Sequence, residues 1–414
     1  MGFEIDLELP ETEILSVIRN EAGDYFIELK STKTKGKCRQ CGREINHFKG
    51  YDEWITIRHL PILDREVYLK IRPRRYQCFR CEDEPTTTEV FSWRTGTKPY
   101  TKAYQNHILH SLINSTIEDV CLKAKIGEKQ VEAMLSNSEF ANDPLLYIEK
   151  IGVLGLDEIA LRKGHQSFVV IVSCQVKGQT RVLKILKDRK KETVVAYLQS
   201  IPCQLRQTIE TVCTDMYEGY VNAVHEVLGE EQEIVIDRFH VAQAYRKGAD
   251  CLRKQEQKRL KKELIEEDYK KLKGLLWAFR KNPNHLKSQE LEILKRAFHD
   301  SPKLEQAYRF RNDLTTLFEE NISKEEALRR FEQWIEEVRT SELNCFDSFI
   351  KTLSNFQQQI ANYFHLRRSS GFVEGMNNKI KVIKRRCYGI FNIQHLQQRI
   401  LLDTWGRQRL IMSR

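Results

Sequence analysis

A multidomain α+β fold is predicted, and three observations predict it. Short apolar alternation broken by turn residues fills residues 1 to about 95, and strand-like runs separated by helical stretches lie between Lys150 and Asp237. From about 240 to 362 strand signals vanish into charged helical patterns. At 414 residues, 41% hydrophobic and 30% charged, the chain has length for roughly two to four domains.

In the first stretch, Val67, Leu69 and Ile71 alternate with Tyr68, Lys70 and Arg72, which reads as small β hairpins. Within it stand two C-x-x-C pairs, Cys38/Cys41 and Cys78/Cys81, separated by 36 residues. Four thiolates at about 2.3 Å around a tetrahedral Zn²⁺ need two such turns face to face, so a structural zinc ribbon over 1–95 is expected. The alternative is four unligated core thiols. Around the second pair, Arg72, Arg74 and Arg75 interleave with Tyr76 and Phe79. That pattern suits phosphate contact, or equally a charged hairpin edge guarded against pairing.

Residues 96–142 turn helical. Ser115 to Leu135 contains a capped helix, a Lys125-Ile126-Gly127 turn and a second amphipathic helix, with Ile117, Val120, Val131, Met134 and Leu135 as packing faces and Gly127 taking the turn. This is a helix-turn-helix candidate with Lys129 toward DNA. Any αα-hairpin gives the same pattern, and Glu128 and Glu132 weigh against a groove-reading helix.

After Asp143-Pro144, runs at 150–156, 167–176, 181–187, 211–214 and 233–236 predict five strands. Short loops make the first three antiparallel, while helical stretches at 190–200 and 217–228 act as parallel crossovers. In the order 3-2-1-4-5, Asp157 and Asp215 close neighbouring strands side by side. Two adjacent carboxylates repel unless a cation lies between them, which favours Mg²⁺ or Mn²⁺ with oxygen ligands. The third acid is either Asp237, ending the fifth strand, or the remote Glu374.

Glu374 lies in a capped helix start, Ser369-Ser370-Gly371, with a basic continuation. Lys381, Lys384 and Arg385 share a face with Glu374, Asn377 and Asn378, and the alternative is a solvated basic helix. From Arg367 to Arg414 eleven Lys and Arg face only Glu374 and Asp403, so this segment carries most of the net +10. A polyanionic partner is expected there. The longest apolar run, Phe168 to Cys174, is far short of the ~20 residues that span a bilayer, and the acidic first residues lack the form of a signal peptide. Seven further cysteines scatter singly, which suits a reducing cytoplasm.

The blocks Gly155 to His165, Thr214-Asp-Met-Tyr-Glu-Gly-Tyr220, Asp237-Arg-Phe-His-Val241 and Gly371 to Gly389 resemble, in order, those of bacterial insertion-sequence transposases of the ISL-three family. The resemblance covers essentially the whole chain. It implies a zinc ribbon (1–95), a helix-turn-helix (96–142), an RNase H-like core (143–240 and 363–414) and a helical insertion (241–362). It also implies a catalytic triad of Asp157, Asp215 and Glu374 holding two Mg²⁺ or Mn²⁺ ions, with Asp237 auxiliary. Lys379, Lys381, Lys384, Arg385 and Arg386 would meet DNA phosphates. The implied partner is double-stranded DNA, the terminal inverted repeats and the target, bound by a homodimer in the bacterial cytoplasm at the nucleoid. Two rivals are a non-catalytic zinc-ribbon DNA-binding regulator derived from such an enzyme and a nuclease without strand transfer.

Overall fold

The computed structural model describes residues 6–161, 168–368, 371–388, 390 and 392–412. The motif residues 162–167 and 389 and the proposed capping serines Ser369 and Ser370 lie outside the described residues. Two compact units form, Met1–Ala141 with Leu401–Arg414, and Asn142–Ile400. The final residues expected in the core thus belong to the first unit.

The first unit holds β1 (Thr12–Arg19), β2 (Tyr25–Ser31), β3 (Gly36–Lys37), β4 (Glu44–Ile45), β5 (His47–Tyr51), β6 (Ile55–Ile62), β7 (Arg65–Ile71), β8 (Arg74–Gln77) and β9 (Thr86–Thr88). A four-stranded sheet has the order β1-β2-β7-β6. Val67, Leu69 and Ile71 are buried with Ile27, Leu29 and Ile57 under Phe91 and Trp93. The alternation is as read, but β2 and β7 pair in parallel. Hairpins alone do not build this sheet, because β3, β4 and β5 intervene, and alternation specifies a face without naming the neighbour.

Three helices follow: α1 (Lys102–Leu112), α2 (Ile117–Ala124) and α3 (Glu128–Ser136). Thr116 caps α2 by accepting from Asp119 N–H at 2.9 Å. Val120, Val131, Met134 and Leu135 are buried as expected. The turn differs in detail, since Lys125 takes the left-handed conformation (φ 52°) and Gly127 is the N-cap of α3 at φ −78°.

In the second unit, β10 (Gly152–Ala160), β11 (Phe168–Val176), β12 (Gln179–Leu186), β13 (Ile209–Thr214) and β14 (Ile234–Ile236) form one sheet in the order β12-β11-β10-β13-β14. This is the 3-2-1-4-5 order, with β10, β11 and β12 antiparallel and β13 and β14 parallel to β10. The crossovers are α4 (Lys191–Ser200) with the short α5 (Cys203–Arg206), and α6 (Glu218–Leu228). Asp237 caps the long α7 (Arg238–Glu263).

Helices alone continue: α8 (Glu266–Lys271), α9 (Leu275–Arg280), α10 (Ser288–Asp300), α11 (Pro302–Glu319), α12 (Lys324–Thr340), α13 (Asp347–Ala361) and α14 (Tyr363–Leu366). Buried Phe310, Phe318, Phe331, Trp334 and Phe346 make their aromatic core. The chain then returns to the sheet as α15 (Gly371–Arg386), followed by α16 (Ile393–Met412). Met376, Ile380, Ile383, Leu396 and Ile400 pack on Ile159, Val169, Ile171, Val182 and Ile185. Among the described residues, no helix is long and apolar enough to cross a membrane.

Candidate active site

Parallel strands set three acids in a row. Gly155 pairs with Cys213 and Thr214 with Ile236, so by continuing the count Asp157, Asp215 and Asp237 stand level at the carboxyl side of three neighbouring strands. That edge of an open α/β sheet is where loops and helix starts leave room for a ligand. Asp215 directly follows its strand, whereas Asp157 lies inside β10, which runs on to Ala160. The expectation that Asp157 ends its strand is therefore corrected: antiparallel pairing with β11 carries β10 past the end of its partner β13.

Burial raises the Asp157 carboxyl above the usual range, and the Asp237 and Glu158 carboxylates add to this, opposed by the Glu158 N–H and by His240. Asp215 is pushed up to about 6, first by burial, then by Glu158 and Asp157, with His240 and Arg189 pulling the other way. Its Oδ1 is buried and has no hydrogen-bond partner among the described residues. Asp237 is 7% exposed and accepts from Phe239 N–H at 3.0 Å. Crowded, under-satisfied hard oxygens fit a divalent cation, which would relieve both the repulsion and the orphaned lone pair.

Helix α15 crosses the sheet beside this row. Gly155 makes the approach possible, because a Cβ there would stand 2.5 Å from Val373 Cγ2 and 2.8 Å from Ser173 Oγ. Asn377, 3% exposed, donates from Nδ2 to Asp157 Oδ2 at 2.7 Å, and Glu158 N–H donates to Asp157 Oδ1 at 2.7 Å. Glu374 sits one turn before Asn377 and is exposed. Its helix thus lies on the acid row. Among the described residues, however, no three carboxylate or histidine donors come within 4.8 Å of one another. Glu374 is therefore not gathered with Asp157 and Asp215 into one three-carboxylate cluster.

The expected shared face of α15 divides. Glu374, Asn378, Lys381 and Arg385 face outward, whereas Asn377 and Lys384, seven residues apart, turn to the sheet. Lys384 Nζ donates to the carbonyls of Ala160 and Leu161 at 2.6 and 2.8 Å. The strand extension that carries Asp157 inward supplies those carbonyls, so Lys384 is a clamp on β10. Lys379 is exposed, and Arg386 is half-buried. Sequence reasoning placed Asn377 on the face of Glu374 without its bond to Asp157, and it missed Glu158 and His240, whose signals are their positions beside the acids in the same motifs. Glu158 is held by Tyr220 Oη at 3.1 Å and Arg189 at 3.5 Å.

In the first unit the two C-x-x-C pairs meet. Sγ atoms lie 3.9 Å apart for Cys38–Cys81 and Cys41–Cys78 and 3.8 Å apart for Cys78–Cys81, and all four fall within 4.8 Å of one another. A tetrahedron of ligands at about 2.3 Å has edges of about 3.8 Å, so the four thiols fit a structural Zn²⁺. Backbone N–H groups of Cys41 and Gln40 lower the Cys38 thiol to about 6, while burial and the neighbouring thiols push Cys81 up to about 12. The second knuckle continues into an aromatic and basic surface. Exposed Arg72 lies over Tyr51 and Trp54, Arg74 over Phe48, and Arg75 donates to Thr86 Oγ1 at 2.9 Å. Lys129 is exposed on α3 beside Glu128 and Glu132.

The family described as Transposase, the ISL3 type, matches residues 154–400, and the zinc-finger of transposase IS204/IS1001/IS1096/IS1165 matches residues 34–81. The transposase for insertion sequence element IS1001 of Bordetella parapertussis is 27% identical over 367 residues, 88% of this chain and 87% of its own length. The transposase for insertion sequence element IS1557 of Mycobacterium tuberculosis is 21% identical over 404 residues, 91% and 88% of the two chains. A Lactococcus lactis protein called ATP-dependent protease is 31% identical over 126 residues, only 30% of this chain. A zinc-ribbon protein with an acid row on a mixed sheet is thus the class in hand. The chain belongs to the ISL3 transposase family of insertion sequences, a membership that implies DNA binding and transposition.

Proposed function

We propose that this chain binds the terminal inverted repeats of its insertion sequence, cuts the DNA there and joins the ends to target DNA, using an RNase H-like core. The observation that carries the reading is the level row of Asp157, Asp215 and Asp237 with the Glu374 helix laid beside it through Asn377. Asp157, Asp215 and Glu374 would hold two Mg²⁺ or Mn²⁺ ions, which would activate a water or a DNA 3′-hydroxyl and stabilise the leaving oxygen. Asn377 and the Glu158 N–H orient Asp157. Lys379, Lys381, Arg385 and Arg386 meet backbone phosphates near the cut, and Arg72, Arg74, Arg75 and Lys129 meet DNA from the first unit. A homodimer is the assembly that suits inverted repeats, because a two-fold protein matches a two-fold arrangement of ends. The bacterial cytoplasm, at the nucleoid, is its place of work.

The test is incubation with Mg²⁺ and DNA carrying the native flanks of its gene, with every cut mapped to the nucleotide. Cuts at the element boundary, abolished in Asp157→Ala, Asp215→Ala and Glu374→Ala proteins that still bind, are expected. A second reading gives the third ligand role to Asp237, favoured by its place in the row and by its effect on Asp157. Cleavage surviving in Glu374→Ala but lost in Asp237→Ala would select it.

A further inference from the structure

A cavity of about 900 Å³ opens beside the acid row, reaching from Asp215 along α7 to α9 and α11. Phe239, Gln243, Arg246, Lys247 and Asp250 fall at helical spacing on the α7 side, and Phe239 is 51% exposed. The opposite wall includes Arg280 and Arg311.

The charge on these walls is unbalanced. Asp250 is taken by Arg253 and Arg280, each at 2.8 Å. Arg311 is 4% exposed and donates to the carbonyls of Phe279 and Lys281 and to Asn312 Oδ1. Among the described residues, no carboxylate pairs with Arg246, Lys247 or Arg311. The Phe279, Lys281 and Asn312 oxygens take up the Arg311 donors, so the exposed cations Arg246 and Lys247 are what this cleft offers to an anion. An exposed aromatic face at the mouth adds a place for a flat apolar ring.

The cavity is on the ~300–1,000 Å³ scale of sites for small molecules, too small to admit a duplex but roomy for one nucleotide. Nucleic-acid enzymes that act beside a base commonly draw it from the stack, and aromatic rings receive such bases whatever their sequence. We propose that this cleft takes a single nucleotide drawn out of the duplex next to the phosphate being cut, its base against Phe239 and its phosphates toward Arg246 and Lys247. The helical insertion thereby forms the far wall of the DNA-end site. The inference rests on the reading that the acid row cuts DNA, and it adds which part of the substrate lies where.

The experiment measures binding by the full chain in Ca²⁺, without cleavage, to duplexes carrying the native element flank. At each position next to the boundary the duplex is fully paired, mismatched or abasic. At one position the mismatch tightens wild-type binding about tenfold, because pairing no longer opposes extrusion. Phe239→Ala removes that gain, Phe239→Trp restores it, and the abasic duplex is bound within about twofold by wild type and Phe239→Ala alike. Equal losses on mismatched and abasic DNA, or no mismatch gain at any flanking position, overturn the cleft assignment while leaving the transposase reading intact. Failure to prefer the element flank over unrelated duplex sinks the DNA-end reading and the cleft assignment with it.

Discussion

Asn377 Nδ2 lies 2.7 Å from Asp157 Oδ2, a hydrogen bond that joins residues 220 positions apart and ties the helix bearing Glu374 to the central strand of the sheet. With the Asn377 amide on one oxygen and the Glu158 N–H on the other, Asp157 is held in one orientation. Replacing Asn377 by Leu keeps much of the volume and removes the donor. Cleavage is expected to fall at least tenfold with little change in DNA affinity, and Asn377→Asp should become stabilised by Mg²⁺ more than wild type, as a second carboxylate there needs a cation. Thermal melting with and without Mg²⁺ and single-turnover cleavage check both.

Zinc removal should dismantle the knuckles. One zinc per chain is expected by elemental analysis, and a strong chelator or Cys78→Ser should lower binding to the element ends, because β8, which carries Arg74 and Arg75, leads directly into Cys78. Unchanged end affinity in a zinc-free protein would contradict a structural role for the metal.

His59 gives a pH dependence. It is 4% exposed, its Nδ1 lies 3.0 Å from the Thr101 hydroxyl oxygen, and burial lowers it from 6.5 to about 4. The unfolded chain takes up a proton on this ring below about pH 6.5 while the folded chain does not, so its contribution is complete above pH 6.5 and declines until pH reaches about 4. The loss is on the order of 3 kcal/mol. Urea unfolding of wild type and His59→Gln at pH 7 and 4.5 should show a smaller pH effect in the variant.

Cations on α15 should separate by role. Neutralising Lys381 or Arg385, both outward, is expected to reduce the salt slope of DNA binding by about 0.9 each. Lys384→Met should leave that slope unchanged and lower stability, since its ammonium holds the carbonyls of Ala160 and Leu161. Equal slope changes for all three would refute the division.

Much of this was legible in the sequence because periodicity and spacing are local. The five strands, their 3-2-1-4-5 order and the cysteine pairs follow from runs, crossover lengths and knuckles that each fit within a short window. What was hidden depends on partners far along the chain. The parallel β2–β7 pair, the continuation of β10 past Asp157 and the inward turn of Lys384 are set by neighbours that no local pattern names. Glu158 and His240 lay in plain view inside the motifs. Their influence on the acids appears only once burial and distance are known.

The most direct measurement is the number of Mn²⁺ ions bound by the full chain on native end DNA, counted by electron paramagnetic resonance titration. Two ions per active site in wild type, with loss in Asp215→Asn and Glu374→Gln despite retained DNA binding, are predicted. Full occupancy in Glu374→Gln would contradict the account.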